Sequence, residues 1–340
     1  MDIRLEALDA WLRGPLGLTV DSLRPASADA SFRRYFRVGT PEGDRIVMDA
    51  PPDHEDCRPF VAIAAMLRGA GVHAPAVLAQ DLDQGFLLLE DLGTSLYLDA
   101  LDAEPERADA LYGSAIAALV RMQGELAADA ERLPPYDRDL MAREMALFPE
   151  WLVGRHLAEL APIPLADAYH AAHDALLDAL VELPRTFVHR DYHSRNLMVL
   201  DTDGPGVMDF QDAVAGPAAY DLVSLLKDCY IEWPRARVEA WVAGFHAEAL
   251  AAGMALPTLP AFLREVDLMG VQRQLKAAGI FCRLFHRDGK PGYLPDIPRT
   301  LGYIVDAGTR HPEVAALGGW IAAEVLPALA HAARAREGQR

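Results

Sequence analysis

The stretch His189-Arg190-Asp191-Tyr192-His193-Ser194-Arg195-Asn196 constrains this chain more than any other part of it. It is a polar run between two short apolar ones, TFV (186–188) and LMVL (197–200). A turn through Gly204-Pro205-Gly206 then leads to a second strand ending in Met208-Asp209-Phe210. A loop of this kind offers Asp191 and Asn196 together, with Asp209 at a neighbouring strand end. Phosphoryl transfer from ATP asks a protein for few groups: one to orient the acceptor hydroxyl, ligands to hold magnesium on the phosphates, and charge to spread the transition state. One Asp for the hydroxyl, with one Asn and a second Asp for the metal, supplies the first two. Magnesium favours hard oxygen ligands and keeps its phosphate and water oxygens, so two protein oxygens suffice. The plainer reading of the same residues is a polar turn between strands. The flanking strands, the MDF strand end and the helix opening at AYDL (219–222) weigh together against it.

The 340 residues allow two lobes. Residues 1–93 read as the smaller. Leu5, Leu8, Trp11 and Leu12 recur at helical spacing. SFRRYFRV (31–38) and RIVMDAP (45–51) flank the turn-rich GTPEGD as a hairpin. A helix over 58–70 follows, then two strands over 75–81 and 85–91, the second nearly continuous in apolar residues and closing at Glu90-Asp91-Leu92-Gly93. Beyond Gly93 the periodicity is helical over 107–128, 139–160, 165–182, 218–230, 235–252, 259–285 and 312–335, with proline and glycine clusters between. The expected fold is α+β: an N-terminal lobe over 1–93 with an antiparallel sheet and one or two helices, and a larger, mainly helical lobe over 94–340.

A formal charge of −18 argues against a nucleic-acid partner, which demands a basic footprint. No uninterrupted apolar run approaches the roughly 20 residues a membrane helix needs, and the opening MDIRLEALDAWLRG lacks the basic-then-apolar order of a signal peptide. Cys57, Cys229 and Cys282 lie far apart without a CxxC pair, which suits a reducing cytoplasm better than a disulfide framework or a zinc site. The expectation is a cytoplasmic protein acting on a small molecule, with no membrane, nucleic-acid or evident protein partner.

The HxDxxxxN loop with its hydrophobic-Asp-Phe strand end resembles the catalytic loop and metal motif of protein kinases and, more closely, of the aminoglycoside phosphotransferase family. The resemblance implies a two-lobed protein-kinase-like fold and ATP with Mg2+ as cofactors. It implies Asp191 as the catalytic Asp, Asn196 and Asp209 as magnesium ligands, His189 as the structural histidine, and Asp221 as a buried hydrogen-bond partner of the loop. His193 and Arg195 fall where such loops turn positive charge towards the transferring phosphate. RRYFRV, VMDAPP, CRPFV, GVHAPAVLAQDLDQGFLLLEDLG, MDFQDAVAGPAAYDLVSLLKDCY and QRQLKAAGIFCRL are similar to the anomeric amino-sugar kinases of peptidoglycan recycling. That likeness implies phosphorylation of the C1 hydroxyl of N-acetylmuramate and N-acetylglucosamine to the α-1-phosphates. The other readings are a phosphotransferase for an aminoglycoside or amino alcohol, and a catalytically weak nucleotide-binding pseudokinase.

The chain departs from the kinase pattern where a strand lysine usually pairs the nucleotide phosphates. The matching position is Met48, and all three lysines (Lys227, Lys276, Lys290) lie in the second lobe. A substitute cation in the first lobe must be arginine or histidine. Arg33, Arg34 and Arg37 lie on the first hairpin, and Arg33 or Arg34 is expected on phosphate, which a guanidinium grips with two bonds. The phosphate-covering loop, 26–32, holds no glycine and offers Ser27 and Ser31 as donors. Glu90, Asp91 and Leu92, on the segment joining the lobes, are expected to read adenine through their backbone. Expected acceptor contacts are Asp212, Glu144, Trp151 and Arg273, with Phe148 and Tyr293 as further candidates. Trp151 would stack on a sugar face, and Arg273 would meet the lactyl carboxylate of N-acetylmuramate. Phe148 and Trp151, at helical spacing, read equally as core.

Overall fold

In the computed structural model, which describes residues 2–28, 32–202 and 204–337, strand alternation builds a five-stranded antiparallel sheet in the first of two units, Met1–Ala103 with Arg195–Asp212. Helix α1 (Ile3–Arg13), capped by Asp2, lays Leu8, Trp11 and Leu12 on one face of that sheet. The strands are β1 (Ser22–Ala28), β2 (Arg34–Gly39), β3 (Arg45–Asp49), β4 (Val77–Asp81) and β5 (Phe86–Glu90), in the order β1-β2-β3-β5-β4. Phe36, Val38, Val47, Phe86 and Leu88 meet α1, so the alternate residues Tyr35, Met48 and Leu87 take the other face. Strand β1 escapes sequence reading because it is an edge strand. Pro25 donates no ladder bond, and the register slips between Pro25 and Ser27. Helix α2 (Arg58–Gly69) precedes β4, and the short α3 (Tyr97–Ala103) closes this part of the chain.

A small hairpin pairing Leu197–Met198 with Gly206–Val207 belongs to the same unit. Val207 N donates to His73 O at 2.8 Å and Val199 N to Ser95 O at 2.8 Å. A side chain at Gly206 would meet Leu92 Cδ1 at 2.9 Å, so this close approach requires glycine. Phe210 stacks against Phe60 of α2, with 4.7 Å between ring centroids.

The second unit, Glu104–Ser194 with Ala213–Arg340, is mainly helical. It contains α4 (Ala108–Glu125), α5 (Arg138–Leu147), which continues as π-helical turns over Phe148–Leu157, α6 (Asp167–Leu180), α7 (Ala219–Leu226) and α8 (Arg235–Ala251). The 30-residue α9 (Leu259–Asp288) forms its centre, followed by α10 (Ile297–Gly308), α11 (Pro312–Trp320) and α12 (Leu326–Glu337). Strands β6 (Arg185–Val188) and β7 (Val214–Pro217) pair antiparallel. A Cβ at Gly279 would lie 2.4 Å from the carbonyl carbon of Leu147, so glycine lets α9 touch the end of α5. Helix α10 was not expected, because Pro298 in PGYLPDIP reads as a breaker. It stands in the first turn, where proline's missing N–H costs nothing. Pro312–Arg336 is long and apolar enough to cross a membrane by length and composition, although Glu313 and Glu324 interrupt its apolar run. Its Val314, Leu317, Ile321 and Val325 are buried, and α11 packs on α6 and α10, which accounts for the hydropathy. A sheet in one unit and helices in the other bear out the α+β expectation.

Candidate active site

The second unit carries the loop from His189 to Ser194, and buried acids fix it at both ends. Asp221, completely buried on α7, accepts from His189 N at 2.7 Å and Arg190 N at 2.9 Å. Arg190 has φ +79°, a left-handed conformation that costs a side-chain-bearing residue energy and persists only when its surroundings impose it. His189 Nδ1 accepts from Asp191 N at 3.2 Å, and Tyr192 OH reaches Ala115 O at 2.8 Å. At the far end Asp228 accepts from Ser194 N at 3.0 Å and Ser194 Oγ at 2.5 Å. Nothing in the sequence reading marked Asp228. Its one visible signal was its place just beyond an apolar helix, in LLKDCY.

Beneath this loop lies a buried charge network. Glu144 accepts from Arg190 Nη2 at 2.6 Å, Lys276 Nζ at 2.8 Å and Tyr136 OH at 2.5 Å, with Gln272 Nε2 at 3.3 Å. Lys276 also donates to Tyr220 OH at 2.9 Å. Burial opposes ionisation of Glu144, but Lys276 and Arg190 outweigh it and pull its pKa down to about 2. Glu144 was expected at the acceptor. Its oxygens are instead taken by protein donors, so it serves as counter-charge for Arg190 and Lys276. Burial likewise opposes ionisation of Asp191, and Lys276, His193, Arg273 and Arg190 together hold its carboxyl below the usual range. The arrangement therefore presents an ionised acceptor for a hydroxyl proton, positioned by a rigid backbone.

The first unit carries the second group of candidates, Asn196 and Asp209, on its hairpin. Met208 N donates to Asn196 O at 3.0 Å, Asn196 Nδ2 to Asp209 Oδ2 at 3.3 Å and Gln211 Nε2 to Asp209 Oδ1 at 2.8 Å. Asp209 is exposed and has φ +60°, a strained backbone of the kind found at functional positions. An amide and a carboxylate oxygen side by side on an exposed turn fit a hard cation. Among the described residues there is no cluster of three or more His, Cys, Asp or Glu, so any metal here would draw its remaining ligands from elsewhere, as magnesium on phosphate does.

The remaining candidates separate by their partners. Arg34 gives its guanidinium to Asp49 at 2.5 Å and also to Asp2, on the α1 face of the sheet; Arg4 joins it on Asp49. Two carboxylates thus compensate Arg34; Arg33 precedes the strand and is half-buried. Ser31 lies outside the described residues. Met48 is 1% exposed, enclosed by strand neighbours. Glu90 is bound by Arg68, His73 and Ala76 N, and Asp91 by Arg37 and Gly93 N, so protein occupies both acidic side chains. Leu92 is buried near Gly206. Arg195 and Asp212 are exposed, and His193 sits edge-on to Tyr230 at 5.6 Å. Phe148 is core, stacked on Tyr169, and Trp151 is half-buried with no ring contact among the described residues. Tyr293 stacks on Phe281 at 5.5 Å. Arg273 is buried beside Cys229.

Comparison with known proteins gives consistent results. Residues 22–265 match the model of the Phosphotransferase enzyme family. The chain is 48% identical over 332 residues to an N-acetylmuramate/N-acetylglucosamine kinase of Pseudomonas putida, covering 94% of this chain and 96% of that protein. A protein of the same name from Neisseria meningitidis serogroup B is 44% identical over 296 residues, covering 86% and 87%. Among solved structures, the choline kinase LicA of Streptococcus pneumoniae superposes with a TM-score of 0.60 at 11% identity, covering 88% of this chain and 98% of that one. The GDP complex of aminoglycoside 2'-phosphotransferase-IIIa gives 0.61 at 15%, covering 90% and 98%. These last two establish the protein-kinase-like fold.

Proposed function

Because the chain belongs to the Phosphotransferase enzyme family, we propose that it transfers the γ-phosphoryl group of ATP to the anomeric C1 hydroxyl of N-acetylmuramate and N-acetylglucosamine, giving the α-1-phosphates in cytoplasmic peptidoglycan recycling. The observation that carries the reading is Asp191. Its carboxylate is held ionised by surrounding cations on a loop whose backbone is fixed by Asp221 and Asp228.

In this reading the C1 hydroxyl donates a hydrogen bond to Asp191, which orients the oxygen for in-line attack on the γ-phosphorus. The new O–P bond forms as the bond to ADP breaks. The transition state is loose, so the proton passes to Asp191 late, and a carboxylate of low pKa is adequate because orientation supplies most of the effect. Asn196 and Asp209 would hold Mg2+ on the phosphates. Bound there, the ion neutralises charge on the triphosphate. Arg33 and Arg34 are the first-lobe candidates for a phosphate contact, and Arg34 would have to share its guanidinium with Asp49 and Asp2. His193 and Arg195 add positive charge, Asp212 lies near the metal pair in sequence, and the backbone of residues 90–93 reads adenine.

The test is ADP release by the purified protein over a panel of amino sugars, aminoglycosides and amino alcohols, with the Asp191→Asn variant as control. Turnover of the two amino sugars that disappears in the variant supports the proposal. Turnover confined to another acceptor overturns it, as does magnesium-independent ATP binding without turnover.

A further inference from the structure

Three Lys or Arg residues are buried among the described residues: Lys227, Arg273 and Lys276. Lys227 has Asp267 at 2.6 Å and Lys276 has Glu144 at 2.8 Å. Arg273, 6% exposed, has no carboxylate at ion-pairing distance among the described residues. Its hydrogen-bond contact is Cys229 Sγ at 3.8 Å, which is a poor acceptor. The charges of Asp191 and Asp228 favour the buried guanidinium, but neither carboxylate pairs with it directly, so its fork can take a carboxylate from a ligand. The planar fork of arginine matches a carboxylate in particular.

The surroundings indicate which carboxylate. Cys229 follows Asp228, whose oxygens are spent on Ser194 and on Tyr230 N, at 3.1 Å. Lys276, one turn along α9 from Arg273, reaches beneath the catalytic loop. Tyr230, which meets His193, lies 6.2 Å from Phe281 of the same helix, and Phe281 stacks on Tyr293. The half-buried Tyr230 and Tyr293 thus form an aromatic wall along α9, the kind of surface a sugar ring packs against. N-acetylmuramate differs from N-acetylglucosamine by a lactyl ether that carries one carboxylate.

Resting on the reading above, we propose that Arg273 receives the lactyl carboxylate of N-acetylmuramate, with Tyr230 and Tyr293 along the sugar, and so sets the preference between the two substrates. The subsite is absent from the reaction of N-acetylglucosamine, which has no group for Arg273.

The experiment compares N-acetylmuramate, its methyl ester and N-acetylglucosamine as substrates of the full chain, unaltered and as Arg273→Met and Arg273→Lys. In the unaltered protein the ester should lose about 10- to 100-fold in kcat/KM, chiefly through KM, as expected for one charge-assisted pair. Arg273→Met should lower the N-acetylmuramate to N-acetylglucosamine ratio of kcat/KM by a similar factor and abolish the difference between acid and ester. Arg273→Lys should restore part of it. An ester as good as the acid in the unaltered protein overturns the proposal even if the variants fail to fold. Equal losses on both sugars with a raised KM for ATP also overturn it, by assigning Arg273 to the phosphates. Turnover of neither sugar by the unaltered protein removes the proposed function itself.

Discussion

Two buried charge clusters lie along α9, and they are built on different plans. At Asp267 one carboxylate is surrounded by cations: Lys227 Nζ at 2.6 Å, Arg235 Nη1 at 2.7 Å, His311 Nε2 at 2.8 Å and Arg310 Nε at 3.3 Å. Burial opposes its ionisation, but Lys227 first, then Arg235 and His311, depress its pKa far below the carboxylate range. About two turns further along the helix, Arg273 and Lys276 lie with Glu144 and Asp191, two cations to two carboxylates. Lys276 is matched by Glu144 at direct contact, while Arg273 has no carboxylate at ion-pairing distance among the described residues. The first cluster joins separate segments by direct ion pairs to one carboxylate, and its Lys227 and Arg235 also line a cavity of about 500 Å³ beside Trp233 and Tyr303. In the second, the charges of Lys276, Arg273 and Arg190 act on Asp191 and hold it ionised.

Substitutions can break this contrast, beginning with the largest expected effect. Asp191→Asn should lower kcat by about 10²- to 10⁴-fold, the range for a lost acid–base group, and leave ATP affinity within about threefold; steady-state ADP release and calorimetry measure both. Asp267→Ala should do the reverse. It should destabilise the protein by about 3–5 kcal/mol in urea unfolding, because several cations lose their counter-charge, while the KM values stay unchanged. A catalytic defect there without a stability loss would erase the distinction between the clusters.

Titration sharpens it. Burial pushes the Asp221 carboxyl up to about 7, against its two amide bonds and with the negative charge of Asp191 adding to the rise. The folded protein then keeps a proton between about pH 4 and 7 that the unfolded chain has lost. Stability therefore falls as pH rises through that window, by up to about 1.4 kcal/mol per pH unit, and levels off above it. Asp221→Asn should flatten the slope in urea midpoints measured from pH 4.5 to 7.5. Asp267 has the opposite sign: its depressed pKa gives stability above about pH 4 that is lost only on strong acidification. The smallest effect concerns the metal pair. Asp209→Gly removes the strain of φ +60° and should gain up to about 1 kcal/mol of stability while losing magnesium-dependent ATP binding. Unchanged magnesium dependence would contradict the assigned ligand role.

The sequence displayed the elements whose signals are local. The helical period placed α9, and the apolar run of 86–90 placed β5. The spacing of Asp191, Asn196 and Asp209 stood out because the chemistry needs those residue types. Partnership between distant residues was not legible. Glu144 looked available as a polar helix residue until Arg190 and Lys276, from remote segments, closed on it. Arg34 looked equivalent to Arg33, yet strand alternation turns it to the α1 face, where Asp49 awaits it. Asp228 and Tyr230 had no motif, since their contacts exist only once the 228–230 segment meets the loop of residues 189–194. Prolines misled in both directions, hiding β1 at Pro25 and α10 at Pro298.

Phosphorus NMR with mass spectrometry of N-acetylmuramate and N-acetylglucosamine, incubated with ATP, magnesium and this protein, tests the central claim most directly. The account predicts one equivalent of ADP for each sugar 1-phosphate formed, with the phosphorus coupled to the anomeric proton, and product formed about 10²- to 10⁴-fold more slowly by Asp191→Asn. Phosphate on any other hydroxyl, or undiminished product from that variant, would contradict it.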